Sequence, residues 1–318
     1  GWSSKKNSEK ATAKAKCTVN KNITLYAVQK KAVQLTFHRC DGSTWQKTTL
    51  AKGSSYSLPG VRDAEGYTFM GWSTKPMQSV SPQYEAEEKI TVNGNVDLYA
   101  VVFNRTTETD LTEDQLPQVD IYKYKQVIFV GDSRTEFMEN VLTGMGESAT
   151  KNVKFVCSAG KGLDWFTTTG WAQLYSIVQH DSNSILSKKT AVIFNFGVND
   201  LSKSADYAEY YNWIAPQLKS KGCELYFMSV NPVNRLMLSN AGRADRSEAA
   251  VRSFNQYMKA NLSSAYTYID MYSYLKSTGY SFASDHYGTG TVDDGLHYTT
   301  RTYKRIFAKC MDSLRVPA

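Results

Sequence analysis

The sequence predicts a three-layer α/β domain behind small β-rich modules, on three observations. Beyond residue 122, apolar runs of strand length recur at 127–130, 153–157, 191–196, 224–230 and 266–269, with helical patterns between several of them. Such alternation implies a parallel sheet covered on both faces. Upstream, CTVNKNITLYAV at 17–28 returns as ITVNGNVDLYAV at 90–101, and GWS at 1–3 returns at 71–73, a repeat of about 70 residues. Between the two regions, NRTTETDLTEDQLPQVD at 104–120 is polar, acidic and free of periodicity, and reads as a linker.

Taken in order, residues 1–31 are the C-terminal half of one repeat copy and residues 32–104 a complete copy. In the complete copy AVQLTFHR reads as a strand, GSSYSLPG as a turn, and VDLYAVVF as the closing strand. Trp72, in GYTFMGWST, and Tyr99 read as core residues rather than ligand platforms. Residues 105–121 are the linker and 122–318 the α/β domain. There Tyr207, Tyr211, Ile214 and Leu218 keep helical spacing, with Gly222 as a stop. Residues 247–262, carrying Val251, Phe254, Tyr257 and Met258, form another predicted helix, and 300–314 a last one. The abrupt start at GWSS and the missing front half of the first copy predict a longer natural chain, with a signal peptide upstream of Gly1.

A length of 318 residues suits two or three domains, and 42% hydrophobic against 21% charged residues permits a buried core. No run of about 18 apolar residues occurs, so no membrane-spanning helix is expected. The net charge of +7 is entirely accounted for by residues 1–31, where Lys5, Lys6, Lys10, Lys14, Lys16, Lys21, Lys30 and Lys31 face Glu9 alone. A local lysine-rich stretch argues against nucleic acid and reads as a solvated face, or as contact with an anionic cell-wall polymer. The five cysteines, Cys17, Cys40, Cys157, Cys223 and Cys310, include no CxxC pair, so no zinc site is expected. Cys157 and Cys223 read as buried thiols, while Cys17 and Cys40 are near enough in sequence to consider as a pair.

The chemistry concentrates in QVIFVGDSRTEFM, 126–138, where Ser133 follows the first strand of the α/β domain directly. Ligands of parallel sheets bind beyond the carboxyl ends of the strands, so Ser133 is expected on that rim. A serine needs a base. Of four histidines, His38 lies in the repeat and His180 near a predicted helix end. His297, in VDDGLHYTT, follows Asp294 by three residues, a spacing that lets a carboxylate reach one imidazole nitrogen and leaves the other for Ser133. Asp293 is the weaker partner, and His286, in SDHYG beside Asp285, the rival base. Donors for a developing oxyanion come from the Ser133 N–H, from CSAGKGLDW at 157–165, and from Asn199 in NFGVND. In the glycine turn Gly160 and Gly162 compete, with Gly160 preferred. Alone, GDS fits a strand-to-helix turn with Ser133 as the cap. No G-x-S-x-G elbow surrounds Ser133, and the His–Asp pair lies downstream of GDSRT, unlike in chymotrypsin-type enzymes.

Four blocks in order, GDS, AGKG, GVND and DGLH, resemble the SGNH hydrolase family, the GDSL-like esterases and lipases, over about residues 124–315. The resemblance implies a flavodoxin-like three-layer sandwich with a central parallel sheet. It also implies a catalytic triad of Ser133, Asp294 and His297, and an oxyanion hole from Ser133, Gly160 and Asn199. No metal or organic cofactor is implied. SLPG…GYTFMGWS…ITVNGNVDLYAVV resembles the Listeria–Bacteroides repeat, also called the internalin B-repeat, which implies grasp-like modules on secreted or surface-attached bacterial proteins. The function expected is that of an extracellular serine esterase acting on an acylated, and by preference acetylated, carbohydrate or cell-wall glycan. A lipase or thioesterase, an acyltransferase and a non-enzymatic adhesin or spacer are the alternatives. Trp165, Asn231 and Arg235 are candidate substrate contacts, and Arg134 a structural ion-pair partner. The polar linker predicts few contacts across the boundary, so the repeats are expected to be dispensable for chemistry.

Overall fold

A computed structural model describes residues 1–8, 10–12, 18, 20–76, 81–119, 124–181, 189–238, 246–283 and 294–314. Residues 1–31 contribute a two-stranded pairing of β1 (Trp2–Ser3) with β2 (Tyr26–Ala27). The complete repeat holds β3 (Ala32–His38), β4 (Thr44–Ala51), β5 (Ser54–Ser57), β6 (Tyr67–Ser73), β7 (Lys89–Val92) and β8 (Val96–Asn104). Four of these form a sheet in the order β4-β3-β8-β6, with β3 and β8 parallel, and β5 pairs with β7. GSSYSLPG is therefore not a turn: its serines hide a strand with Tyr56 half-buried, and the chain reverses at Gly53, where φ is +80°. Trp72 is fully buried among Phe37, Phe69 and Leu98. Tyr99 is half-buried and stacks on His38, which also meets Asp97.

The α/β domain contains β9 (Tyr124–Gly131), β10 (Val153–Cys157), β11 (Lys189–Asn195), β12 (Cys223–Met228) and β13 (Tyr266–Ile269). All five are parallel, in the order β10-β9-β11-β12-β13, the flavodoxin-like order. Its helices are α1 (Ser133–Met145), α2 (Glu147–Thr150), α3 (Leu163–Trp165), α4 (Trp171–Asp181), α5 (Ser204–Ser220), α6 (Arg235–Leu238), α7 (Glu248–Asn261), α8 (Met271–Thr278) and α9 (Thr300–Ser313). Side chains alternate across a strand. Ile128 and Val130 accordingly join the layer packed by α4, α5 and α7, while Val127 and Phe129 join that packed by α1, α8 and α9. No described helix is long and apolar enough to cross a membrane.

The boundary differs from the expectation of few contacts. Met70, Val101 and Phe103 of the repeat lie in the same apolar cluster as Val127, Phe129 and Leu275. The strand β8 is thus buried on two faces: Leu98 looks into the repeat, Val101 and Phe103 into the α/β domain. The connecting segment packs as well. Leu116 and Val119 are buried, and Glu108, 5% exposed, accepts from Ser281, Thr302 and Arg305. An acidic stretch read as solvated linker is drawn in because its carboxylate finds charge-assisted partners on α9. Among the cysteines, Cys223 and Cys310 are buried, Cys157 is half-buried and Cys40 is exposed. Cys17 lies outside the described residues.

Candidate active site

Asp132, with β-region dihedrals, ends the turn after β9 and caps α1 by accepting the Arg134 N–H at 3.0 Å. The cap is therefore Asp132, and Ser133 is the first helical residue, its hydroxyl left for other work. Gly131 is required there, since a Cβ would stand 2.0 Å from Thr135 Oγ1. The Ser133 N–H has no acceptor among the described residues, as befits a helix N-terminus.

Ser133 Oγ donates to His297 Nε2 at 2.9 Å, and His297 Nδ1 donates to Asp294 Oδ2 at 2.6 Å. A carboxylate only accepts, so the facing nitrogen carries the proton and Nε2 is the basic one. Asp294 Oδ1 accepts the N–H groups of Leu296 and His297, at 2.8 and 2.7 Å, which fixes the carboxylate on its own loop. His297 is fully buried, with Phe137 4.5 Å from its ring. Asp293 and His286 lie outside the described residues.

Arg134 is not an ion-pair partner. Its guanidinium, 2% exposed, donates to three carbonyls: Leu296 at 3.0 Å, Asn231 at 2.9 Å and Pro232 at 2.8 Å. It clamps the histidine loop to the segment after β12, because a rigid fork of five donors fits clustered carbonyl oxygens.

On the other side of Ser133, Asn199 Nδ2 donates to Lys161 O at 2.8 Å, tying the end of β11 to the glycine turn. Arg246, which sequence reasoning missed, donates to Asn199 Oδ1 at 3.0 Å and to Val198 O at 2.9 Å. Since arginine cannot accept, the amide oxygen must face it, and the NH2 is turned toward the glycine turn. Asp200 accepts from Leu163 N–H and the Tyr207 hydroxyl. The two glycines differ: Gly160 has φ +70° with open space at its Cβ position, whereas a Cβ on Gly162 would stand 2.3 Å from Asp200 Oδ2. Neither glycine N–H has a hydrogen-bond partner among the described residues. Glu136 of α1 holds the same turn through Ala159 N–H at 2.7 Å.

The substrate candidates separate. Trp165 is half-buried against Phe196. Asn231 is buried, and its Oδ1 has no partner among the described residues. Arg235 lies against Glu87 of the repeat at 3.4 Å. A cleft of about 430 Å3 beside Asn199 is lined by Asp200, Ser202, Arg246 and Ser253 among others.

The strand-end serine, the histidine–aspartate loop and Asn199 with the glycine turn thus flank one another. The model of the GDSL-like lipase/acylhydrolases matches residues 127–310, and the chain belongs to that family. The α/β domain is that of an ester-hydrolysing enzyme, and residues 34–101 match the Listeria–Bacteroides repeat domain. No curated protein matches the chain. Among solved structures, a Bacteroides fragilis protein described as an acylhydrolase is 16% identical, covering 63% of this chain and 92% of its own at a TM-score of 0.41. An acetyl xylan esterase is 11% identical, covering 60% and 100%, at 0.40. The C-terminal catalytic domain of a Streptococcus pneumoniae peptidoglycan O-acetyltransferase is 15% identical, covering 60% and 92%, at 0.36. Likeness at this level bears on neither substrate nor mechanism.

Proposed function

We propose that the protein is a serine esterase working through Ser133, His297 and Asp294. The observation that carries this reading is the continuous hydrogen-bonded line from Ser133 Oγ through the imidazole to a buried carboxylate. His297 Nε2 takes the serine proton as Oγ attacks the ester carbonyl, and Asp294 stabilises the imidazolium that forms. The Ser133 N–H, an N–H of the Gly160–Gly162 turn and the Asn199 amide receive the oxyanion. His297 then protonates the leaving alcohol, and water repeats the sequence on the acyl-enzyme.

The acyl group is acetyl and the alcohol a carbohydrate, in this reading, at the surface of a bacterium. The cleft beside Asn199 mixes apolar Val198, Leu201 and Ala250 with Asp200, Ser202, Arg246 and Ser253, side chains able to hydrogen-bond the hydroxyls of a sugar. The repeat and its lysine-rich neighbour would meet the anionic cell wall. The test is a fluorophosphonate label combined with an ester series. Ser133→Ala should lose labelling and turnover together, and acetate esters should exceed octanoate esters by about 10-fold in kcat/KM. Labelling that survives in Ser133→Ala would place the nucleophile elsewhere, and faster octanoate turnover would make the protein a lipase or thioesterase.

A further inference from the structure

We infer that the repeat module is part of the active-site frame, and that its Asp63 is a positioning residue for the loop carrying Asp294 and His297. This rests on the esterase reading of that loop. The chain of contacts is short. Asp63 is buried and locked within the repeat: Oδ1 accepts Phe69 N–H at 2.9 Å and Oδ2 the Arg105 guanidinium at 2.7 Å. Its Oδ1 also accepts from the side-chain amide of Asn234 at 2.9 Å, and Val61 O receives the same amide at 3.2 Å. Asn234 belongs to the α/β domain, and its backbone N–H donates to Gly295 O at 2.9 Å. Gly295 stands between Asp294 and His297 in the chain. One asparagine thus joins a preorganised acceptor of the repeat to Gly295, the residue between Asp294 and Leu296 on the loop that carries His297.

The fit at Gly295 makes this junction unforgiving. Its φ is +67°, and a Cβ would stand 2.6 Å from Met237 Cβ and 2.7 Å from Asn234 O. The histidine loop therefore rests directly on residues 234–238, with Arg134 clamping the inner end of the same segment through Asn231 and Pro232. The outer end is held by the repeat, whose Glu87 also meets Arg235 and the Ala249 N–H at the start of α7. A small shift of residues 234–238 would move His297 relative to Ser133, and misplacement of a reacting group by about 1 Å can cost about 100-fold in rate. A repeat elsewhere suited to spacing is here a brace for the base.

The experiment uses the full chain. Asp63→Ala breaks the bridge from the repeat side and Asn234→Ala from the α/β side, so a fold defect peculiar to one variant does not decide the outcome. Each should lower kcat on a small acetate ester about 10-fold with KM unchanged, and the double variant should lose no more than either alone. Hydrogen exchange at residues 294–298 should quicken in both, a readout that needs no substrate. Glu85→Gln, which loosens the repeat at Lys276 instead, should retain wild-type kcat. Additive losses, an equal loss in Glu85→Gln, or unchanged kcat and exchange in folded Asp63→Ala and Asn234→Ala would each overturn the inference. If Ser133→Ala keeps full turnover, the esterase reading fails, and exchange at 294–298 still decides the mechanical link.

Discussion

The two sides of Ser133 are built differently. On the side proposed to supply the base, His297 and Asp294 are 0% and 2% exposed, and the loop is held by Arg134 and Asn234. On the donor side, Gly160 is exposed and Asn199 half-buried, and the supports are Arg246, the Asp200 carboxylate and Glu136. Proton transfer requires one tautomer at one distance, which burial and redundant hydrogen bonds enforce. An oxyanion site must instead admit the substrate, so its donors stay near solvent. Changes to His297 or Asp294 themselves should therefore be close to all-or-none, and those on the donor side graded.

Asn199→Ala gives the largest graded effect. Loss of one oxyanion donor typically costs about 100- to 1,000-fold in kcat, leaving KM nearly unchanged. The contrast with Ser133→Ala is that fluorophosphonate labelling, though slowed, persists. Steady-state kinetics beside a labelling time course distinguish them, and a fall in labelling equal to that of Ser133→Ala would erase the proposed division of roles.

Arg246→Lys should cost less, about 10-fold in kcat. A lysine keeps the charge but lacks the fork that reaches Val198 O and Asn199 Oδ1 together. The amide is then free to rotate, and its NH2 no longer has a fixed direction. In an Asn199→Ala background the same change should be nearly silent, because partners in one network are not additive. Additive losses would mean that Arg246 acts elsewhere.

The elements of this arrangement were unequally visible in the sequence. Five strand runs and the Ser, Asn, Asp and His positions were legible because strands read as short apolar runs and the blocks fall at their ends. Arg246 and Asn234 were not, since each acts through a hydrogen bond to a residue distant in sequence, 47 residues from Asn199 in the first case and 171 from Asp63 in the second. Glu108 looked like linker charge because its partners lie on α9, at Thr302 and Arg305. The near-continuous apolar run of β8 did carry a signal of two-faced burial, Val101 and Phe103 opposite Leu98, and with it of a docked repeat.

Asp132 lies beneath both sides and offers the finest test of their difference. Its carboxyl is 1% exposed, and burial pushes it from the usual 3.8 up to about 6. The Arg134 N–H and the charges of Arg134 and Arg246 pull it back, while Asp200 pushes it further up. A folded value above the unfolded one means that the native state holds the proton more tightly. The contribution of Asp132 to stability is therefore present in full below about pH 4 and is lost as pH rises through about 6. A shift of about two units corresponds to about 3 kcal/mol as an upper bound. Asp132→Asn keeps an oxygen to cap Arg134 but cannot ionise. Its stability relative to wild type should improve between pH 4 and pH 7.5 by up to about 3 kcal/mol, read from denaturant unfolding curves of both proteins at each pH. Taking the difference cancels the other carboxylates, and a difference that stays flat would show that Asp132 is already ionised at acid pH. The charges of Arg134, on the base side, and of Arg246, on the donor side, both favour the ionised carboxylate, so replacing either arginine should raise the pH at which Asp132 loses its proton.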